Sequence, residues 1–203
     1  MYNTCLQPKS YKDLPEAQEV VDFANGIDYR YEHEHRKWEY GLALKFLRET
    51  KPAFVLNVGG GSSPLSSLAK SVATYVLEVD PTPGKHYEHI DYLEGSFPNE
   101  LIVSKFDVVL CTSVIEHVEH DLAFFRALLN QSDNYVFLTT DFHPSGEAQS
   151  PAHYRTYNKK VLTALIEVAG YLGFKPFGRV DYKYEVPMVY DYTFAALALQ
   201  RGK

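Results

Sequence analysis

The 203-residue chain holds only two cysteines, and it has no excess of positive charge: 20 Lys and Arg stand against 26 Asp and Glu, a formal net charge of −6. Cys5 and Cys111 lie far apart, the second inside the apolar run of residues 108–111, so a disulfide framework is not expected and a reducing compartment is. The acidic balance argues against a broad nucleic-acid or anionic-membrane surface, because those partners select faces rich in Lys and Arg. No stretch approaches 18 apolar residues. The first ten residues have neither the basic start nor the apolar centre of a signal peptide. Low-complexity tracts and internal repeats are also absent. Together these absences predict a soluble, uncleaved, cytoplasmic chain that does not bind membranes.

The composition that remains, 45% hydrophobic and 14% aromatic, is that of an ordered globular protein. Its length suits a single domain over residues 1–203, with an N-terminal cap and helix in 1–50 and a core in 51–203. Residues 1–33 are polar and irregular, punctuated by Pro8 and Pro15. The spacing of Tyr40, Ala43, Leu44 and Leu47 predicts a helix over residues 35–49, stopped by Pro52.

From residue 53 strand and helix alternate. An apolar strand over 53–58 runs into Gly59, Gly60 and Gly61 and then into a helix of small residues. Successive glycines permit positive φ and remove Cβ atoms, so a ligand can lie against bare backbone near the N–H groups of the following helix. A second strand over 76–80 ends in Asp80, at the distance where a carboxylate can hydrogen-bond both hydroxyls of a ribose. Further strands are predicted over 89–94, 106–111 and 135–140, with a helix carrying Val118, Leu122, Phe125 and Leu129 before the last of these. The loop 141–157, with Pro144, Gly146 and Pro151, has the length of a lid or binding loop. Asn158 then caps a helix with Val161, Leu162, Leu165, Val168, Ala169 and Leu172 on one face, closed by Gly173. Two strands, 174–184 and 192–199, complete a Rossmann-type α/β fold.

The order glycine turn, Asp80 and Phe106-Asp-Val-Val-Leu-Cys-Thr-Ser-Val-Ile-Glu-His-Val118 resembles the class I S-adenosylmethionine-dependent methyltransferases. It is similar in particular to the group that includes the ubiquinone and menaquinone biosynthesis methyltransferases. Segments 153–162 and 169–174 resemble that group's region before its last two strands, so the likeness spans roughly residues 53–174. It implies a seven-stranded, mostly parallel sheet with an antiparallel C-terminal strand, helices on both faces, and S-adenosyl-L-methionine as cofactor. On these residues, Asn57, Gly59, Gly60 and Gly61 would approach the methionine and ribose, and Asp80 the ribose hydroxyls. Ser96 and Phe97 would meet the adenine, and Thr112 and Ser113 would line the site.

Asn57 departs from the family, which is usually acidic there, and Ser96 stands where the family often has Asp. Some relatives bind a divalent ion with Glu-x-x-Glu-His on the helix after the fourth strand. Here the run is Ser113-Val-Ile-Glu-His117, and with the first carboxylate missing no metal is expected. The mechanism left is direct transfer, which needs a nucleophile aligned with the methyl and, for a hydroxyl, a base. His117 is the leading base, with His143 and His153 on the long loop as rivals; Tyr157 reads as packing.

The resulting expectation is an enzyme that O-methylates a small polar molecule such as a sugar or metabolite, with segment 29–40, rich in aromatic residues and histidine, shaping the acceptor site. Three alternatives remain: a non-methylating protein that binds or cleaves S-adenosylmethionine, an RNA methyltransferase, and an NAD-dependent dehydrogenase. The last is opposed by Pro64, where the dinucleotide fingerprint has its third glycine, and by the lack of length for a separate substrate domain.

Overall fold

The computed structural model describes residues 2–5, 14–27, 36–82, 89–147, 153–184 and 192–202. Of the acceptor-site segment 29–40, residues 29–35 lie outside the described residues, and the remainder opens a helix. In chain order the elements are β1 (Asn3–Cys5), α1 (Pro15–Gly26), α2 (Arg36–Thr50), β2 (Phe54–Val58), α3 (Leu65–Lys70), β3 (Tyr75–Asp80), β4 (Asp91–Glu94), β5 (Phe106–Thr112), a 3₁₀ turn (Ile115–His117), α4 (Asp121–Gln131), β6 (Ser132–Phe142), α5 (Lys159–Tyr171), β7 (Phe174–Pro176), β8 (Val180–Asp181) and β9 (Thr193–Arg201).

The strands form one sheet in the order β4-β3-β2-β5-β6-β9-β1-β8, with β7 also paired to β9. β9 runs antiparallel to β6, β7 and β1, and the other pairs are parallel. The predicted α/β class with a mostly parallel sheet and an antiparallel last strand is therefore observed, but with nine strands among the described residues instead of seven. Two corrections account for the difference. The N-terminal residues expected to be irregular contain β1 and α1. The single strand expected over 174–184 is interrupted at Gly178, whose φ of 86° a side chain would strain, and becomes β7 and β8, with β1 lying between β8 and β9.

Period-two alternation divides the sheet's side chains between two cores. Val55, Val76, Val108, Leu110 and Phe137 face α1, α2 and α3, while Leu56, Val79, Val109, Cys111 and Leu138 face α4 and α5. α1 can approach α2 closely because Gly41 stands at the crossing, where a Cβ would lie 2.7 Å from the Ala17 nitrogen. Asn158 caps α5 as expected, its side chain accepting from Val161 N–H at 3.0 Å. Asp107 of the Phe-Asp signature is a stitch at the start of the strands, since one carboxylate oxygen accepts from both Ala53 and Phe54 N–H at 2.9 Å and the other from Asn134. It stands at the opposite end of β5 from Thr112.

Candidate active site

Parallel sheets bind ligands outside the carboxyl ends of their strands, where the strand order reverses. That reversal falls here between β2 and β5, whose C-terminal ends carry the glycine turn and Thr112–Ser113. Gly59 and Gly61 have φ of 72° and 56°, so both need glycine's freedom. Gly59 is packed against Val114, whose methyl would lie 2.3 Å from an added Cβ, so the turn and the approach to the 3₁₀ turn touch. Among the described residues, an added Cβ at Gly61 would meet only Asp80 Oδ2, at 3.8 Å. Above Gly61 there is room for a ligand.

Asp80 ends β3 beside this turn. Its Oδ2 accepts the Gly61 N–H at 2.9 Å and its Oδ1 the Thr82 N–H at 2.8 Å, which fixes the carboxylate at the rim. Gly95 N–H donates to the Asp80 carbonyl at 2.9 Å and so brings Ser96 and Phe97 next to Asp80. Ser96 is exposed, and Phe97 packs edge-on against Phe124 of α4 at 5.7 Å.

Beneath the turn lies a buried polar floor. Asn57 is paired in register with Glu78, its amide donates to Ser66 Oγ at 2.9 Å, and the Ser66 hydroxyl donates to Glu78 through a short hydrogen bond. Glu78 also packs against Gly60, where an added Cβ would fall 2.5 Å from its carboxyl carbon. Burial, aided by the nearby Asp80 charge and opposed by Ser66 and Asn57, raises the Glu78 carboxyl to about 7. Asn57 thus supports the turn from below and has no exposed surface to offer a ligand.

A second buried group occupies the ends of β5 and β6. Glu39, fully buried on α2, accepts from Ser113 Oγ and Thr139 Oγ1, both at 2.6 Å and both on Oε1, and pairs with Arg36 at 3.0 Å through Oε2. Two hydroxyl donors and a guanidinium thus converge on one buried side chain. Glu116 accepts from Thr140 Oγ1 at 3.1 Å and from Asp141 N–H at 3.3 Å. Burial pushes the carboxyls of Glu116 and Asp141 well above the ordinary range; their like-charged neighbours add to this, while Arg36 opposes it. Among the described residues, the Arg36 guanidinium thus faces three carboxyl groups, an imbalance that favours the protonated forms of Glu116 and Asp141.

The segment 153–157 closes over this end of the sheet. Tyr154 N–H donates to the Glu116 carbonyl, Tyr157 N–H to the Asp141 carbonyl, and the Tyr157 hydroxyl to Asp121. Tyr157 is fully buried, in keeping with packing. His153 Nδ1 lies 2.8 Å from Asp141 Oδ2, close but out of line for a full hydrogen bond. The rings of His117 and His153 meet edge to face at 4.6 Å. His143, by contrast, is held in its own turn, where its Nδ1 accepts from Ser145 N–H at 3.2 Å and contacts Ser145 Oγ at 2.8 Å.

The structure therefore brings Gly59, Gly60, Gly61, Asp80, Ser96, Phe97, Thr112 and Ser113 to the C-terminal ends of β2, β3, β4 and β5, and joins His117 and His153 in a neighbouring group. Sequence reasoning missed Glu39, Arg36, Glu78 and Asp141. Glu39 was readable as the one acid among Trp38, Tyr40, Ala43 and Phe46 on a buried helix, and Glu78 as a charge inside a buried parallel strand. Among the described residues, no three or more His, Cys, Asp or Glu side chains are arranged to hold a metal ion.

No protein-family model matches the chain, and no curated protein matches its sequence. Solved structures do. Magnesium protoporphyrin IX methyltransferase (ChlM) from Synechocystis PCC 6803, crystallised with S-adenosylmethionine, is 16% identical with a TM-score of 0.57, over 93% of this chain and 98% of that one. The N-methyltransferase NodS from Bradyrhizobium japonicum WM9 is 11% identical with a TM-score of 0.63, over 85% and 99%. The small RNA methyltransferase HEN1 is 16% identical with a TM-score of 0.65, over 86% of this chain and 26% of that one. The fold is that of the class I S-adenosylmethionine-dependent methyltransferases.

Proposed function

We propose that this chain is an S-adenosylmethionine-dependent methyltransferase that O-methylates a small polar molecule such as a sugar or metabolite. The observation that carries the reading is the meeting of Gly61 N–H and the Asp80 carboxylate at 2.9 Å, at the C-terminal ends of β2 and β3. They meet in a fold whose neighbours hold S-adenosylmethionine or its product. The residues fit that group: the open space over Gly61 admits backbone approach, and Asp80 at the rim can accept from ribose hydroxyls. Gly59, Gly61, Asp80, Ser96, Phe97, Thr112 and Ser113 would hold it, with Asn57 and Gly60 forming the floor. When bound, it supplies a methyl group already activated by its sulfonium. What the chain must add is alignment of an acceptor and removal of a proton.

The histidine pair beside Glu116 and Asp141 is the place for that proton. His143 is tied to its own turn and is left out of this role. The reading of the acceptor as a hydroxyl-bearing molecule rests on this histidine pair as a base, since a hydroxyl must lose its proton on methylation. The chain's net charge of −6 disfavours a nucleic-acid acceptor. Calorimetry with S-adenosylhomocysteine and with NAD tests the reading. Binding of the former alone is expected; binding of NAD alone overturns it. Homocysteine-product release with a panel of sugars, phenols, amines and RNA then reads the acceptor class, and turnover on RNA alone would exclude the small-molecule assignment.

A further inference from the structure

We infer that Asp141 and His153 work as one acid–base unit, in which Nε2 of His153 takes the acceptor's proton and Asp141 positions the ring; this rests on the methyltransferase reading above. The geometry singles out this pair. Asp141 is the buried penultimate residue of β6, His153 returns from the long loop, and the carboxyl Oδ2 and ring Nδ1 stand 2.8 Å apart. Both atoms are sealed from solvent, and among the described residues neither makes a full hydrogen bond. The His153 side chain is one-tenth exposed. With Nδ1 sealed against Asp141, exchange with an acceptor falls to Nε2. His117, which is exposed, is a wall of the site through its edge-to-face contact with His153.

The groups around the unit set its proton count. Glu116 and His117 face it from the 3₁₀ turn, Glu39 and Arg36 from α2, and Tyr192 from the start of β9 at 6.1 Å. Burial, then Glu116 and Glu39, favour the protonated Asp141 carboxyl, while burial, then His117 and Arg36, favour neutral His153. The pair titrates as a unit. With Asp141 held above the ordinary carboxylate range and His153 below the ordinary imidazole range, the pair can carry one proton on each partner. Loss of one leaves Asp141 as a carboxylate accepting Nδ1–H and leaves a lone pair on Nε2. In transfer to a hydroxyl, the O–H proton passes to Nε2, the oxygen's electron pair forms the bond to the methyl carbon, and the carbon–sulfur pair returns to sulfur. His153 leaves the step as a cation facing a carboxylate and returns its proton to solvent.

The test is a pH titration of the imidazole nitrogens by long-range 15N–1H NMR on the full chain saturated with S-adenosylhomocysteine, with His153→Gln identifying the signal. The expected result is His153 protonated at Nδ1 and bare at Nε2 on the alkaline side, after a transition above the ordinary carboxylate range. Asp141→Asn should abolish that transition and move the proton to Nε2, with S-adenosylhomocysteine affinity changed less than about threefold. A wild-type His153 that keeps Nε2–H at every pH, or that is a cation at neutrality, overturns the inference, and the wild-type titration decides this even if Asp141→Asn does not fold. Failure of the wild type to bind S-adenosylhomocysteine overturns the methyltransferase reading through a separate signal.

Discussion

Ser113 Oγ donates to Glu39 Oε1 at 2.6 Å, joining residues 74 positions apart and bonding the helix before the first core strand to the end of β5. Ser113 has φ of 50°, a left-handed conformation that is costly for a residue with a side chain. Its N–H donates to the Thr139 carbonyl at 3.0 Å, and Thr139 Oγ1 donates to the same Glu39 oxygen. The strained residue at the end of β5 is therefore held by its own bond to one buried carboxyl group and by a bond to Thr139, whose hydroxyl reaches the same oxygen.

Glu39→Ala should lower stability by about 1–3 kcal/mol, because it leaves two buried hydroxyls without an acceptor and the one-quarter-exposed Arg36 without its carboxylate. Urea unfolding measures this, and a loss under about 1 kcal/mol would show that Glu39 is not the anchor of the network. An Arg36→Met, Glu39→Leu double substitution should recover part of the loss, since it removes the ion pair together.

Asp80→Ala should weaken S-adenosylhomocysteine at least about tenfold, given that a hydrogen bond to a charged group contributes about 1.5–3 kcal/mol. Asp80 also orders Gly61 and Thr82, so part of the effect will come through the turn. Equal calorimetric affinities for mutant and wild type would remove Asp80 from the site.

Two glycines of the turn should respond differently to alanine. At Gly59 the new methyl would strike Val114, at 2.3 Å, so the fold itself should be destabilised. Gly61→Ala meets open space and should cost only the left-handed strain, about 1–2 kcal/mol, while S-adenosylhomocysteine affinity falls more than tenfold because the methyl fills the ligand's side of the turn. Thermal unfolding and calorimetry on both variants separate these effects. Undiminished affinity in Gly61→Ala would place the ligand elsewhere.

The parts of this molecule that were legible in the sequence are those governed by local chemistry. The glycine turn, the buried run of β5 and the Asn158 cap each follow from a few adjacent residues. β1 was not legible: Asn3–Cys5 is too short to show a period, and what holds it in the sheet is far away in sequence, its pairing with β8 and β9 and the bond that Asn3 Oδ1 accepts from Ala198 N–H at 2.7 Å, across 195 residues. α1 was hidden because its buried stripe is only Ala17, Val20 and Ala24, and the closeness it needs is supplied by Gly41 on another helix. The group formed by Glu39, Glu116, Asp141 and His153 was unreadable for the same reason, since its members come from four separated elements. His117 and His153 were named individually, but their contact is a property of the fold.

Ser113 stands where metal-using relatives carry their first carboxylate, and its hydroxyl is committed to Glu39. S-adenosylhomocysteine affinity and methyl transfer should therefore be unchanged by EDTA. Loss on chelation that is restored by magnesium or manganese would overturn this.

The floor of the turn should give the protein a distinct pH dependence. Glu78 is 4% exposed, and its carboxyl is raised from 4.5 to about 7, chiefly by burial. An acid raised in the folded state holds its proton more tightly there than in the unfolded chain. Its contribution is then fully present below the unfolded value near 4.5 and is lost as pH rises through about 7. At about 1.4 kcal/mol per pH unit, that loss is of order 3 kcal/mol. Glu116 and Asp141 act with the same sign, so the comparison that isolates Glu78 is with Glu78→Gln, which keeps the size of the group against Gly60 and its polar partners but cannot ionise. Urea unfolding from pH 4.5 to 8 should show wild type losing stability relative to Glu78→Gln across this window and running parallel to it above. A difference that stays flat would mean that the Glu78 charge is compensated at the turn, by Ser66 and Asn57, more fully than burial destabilises it.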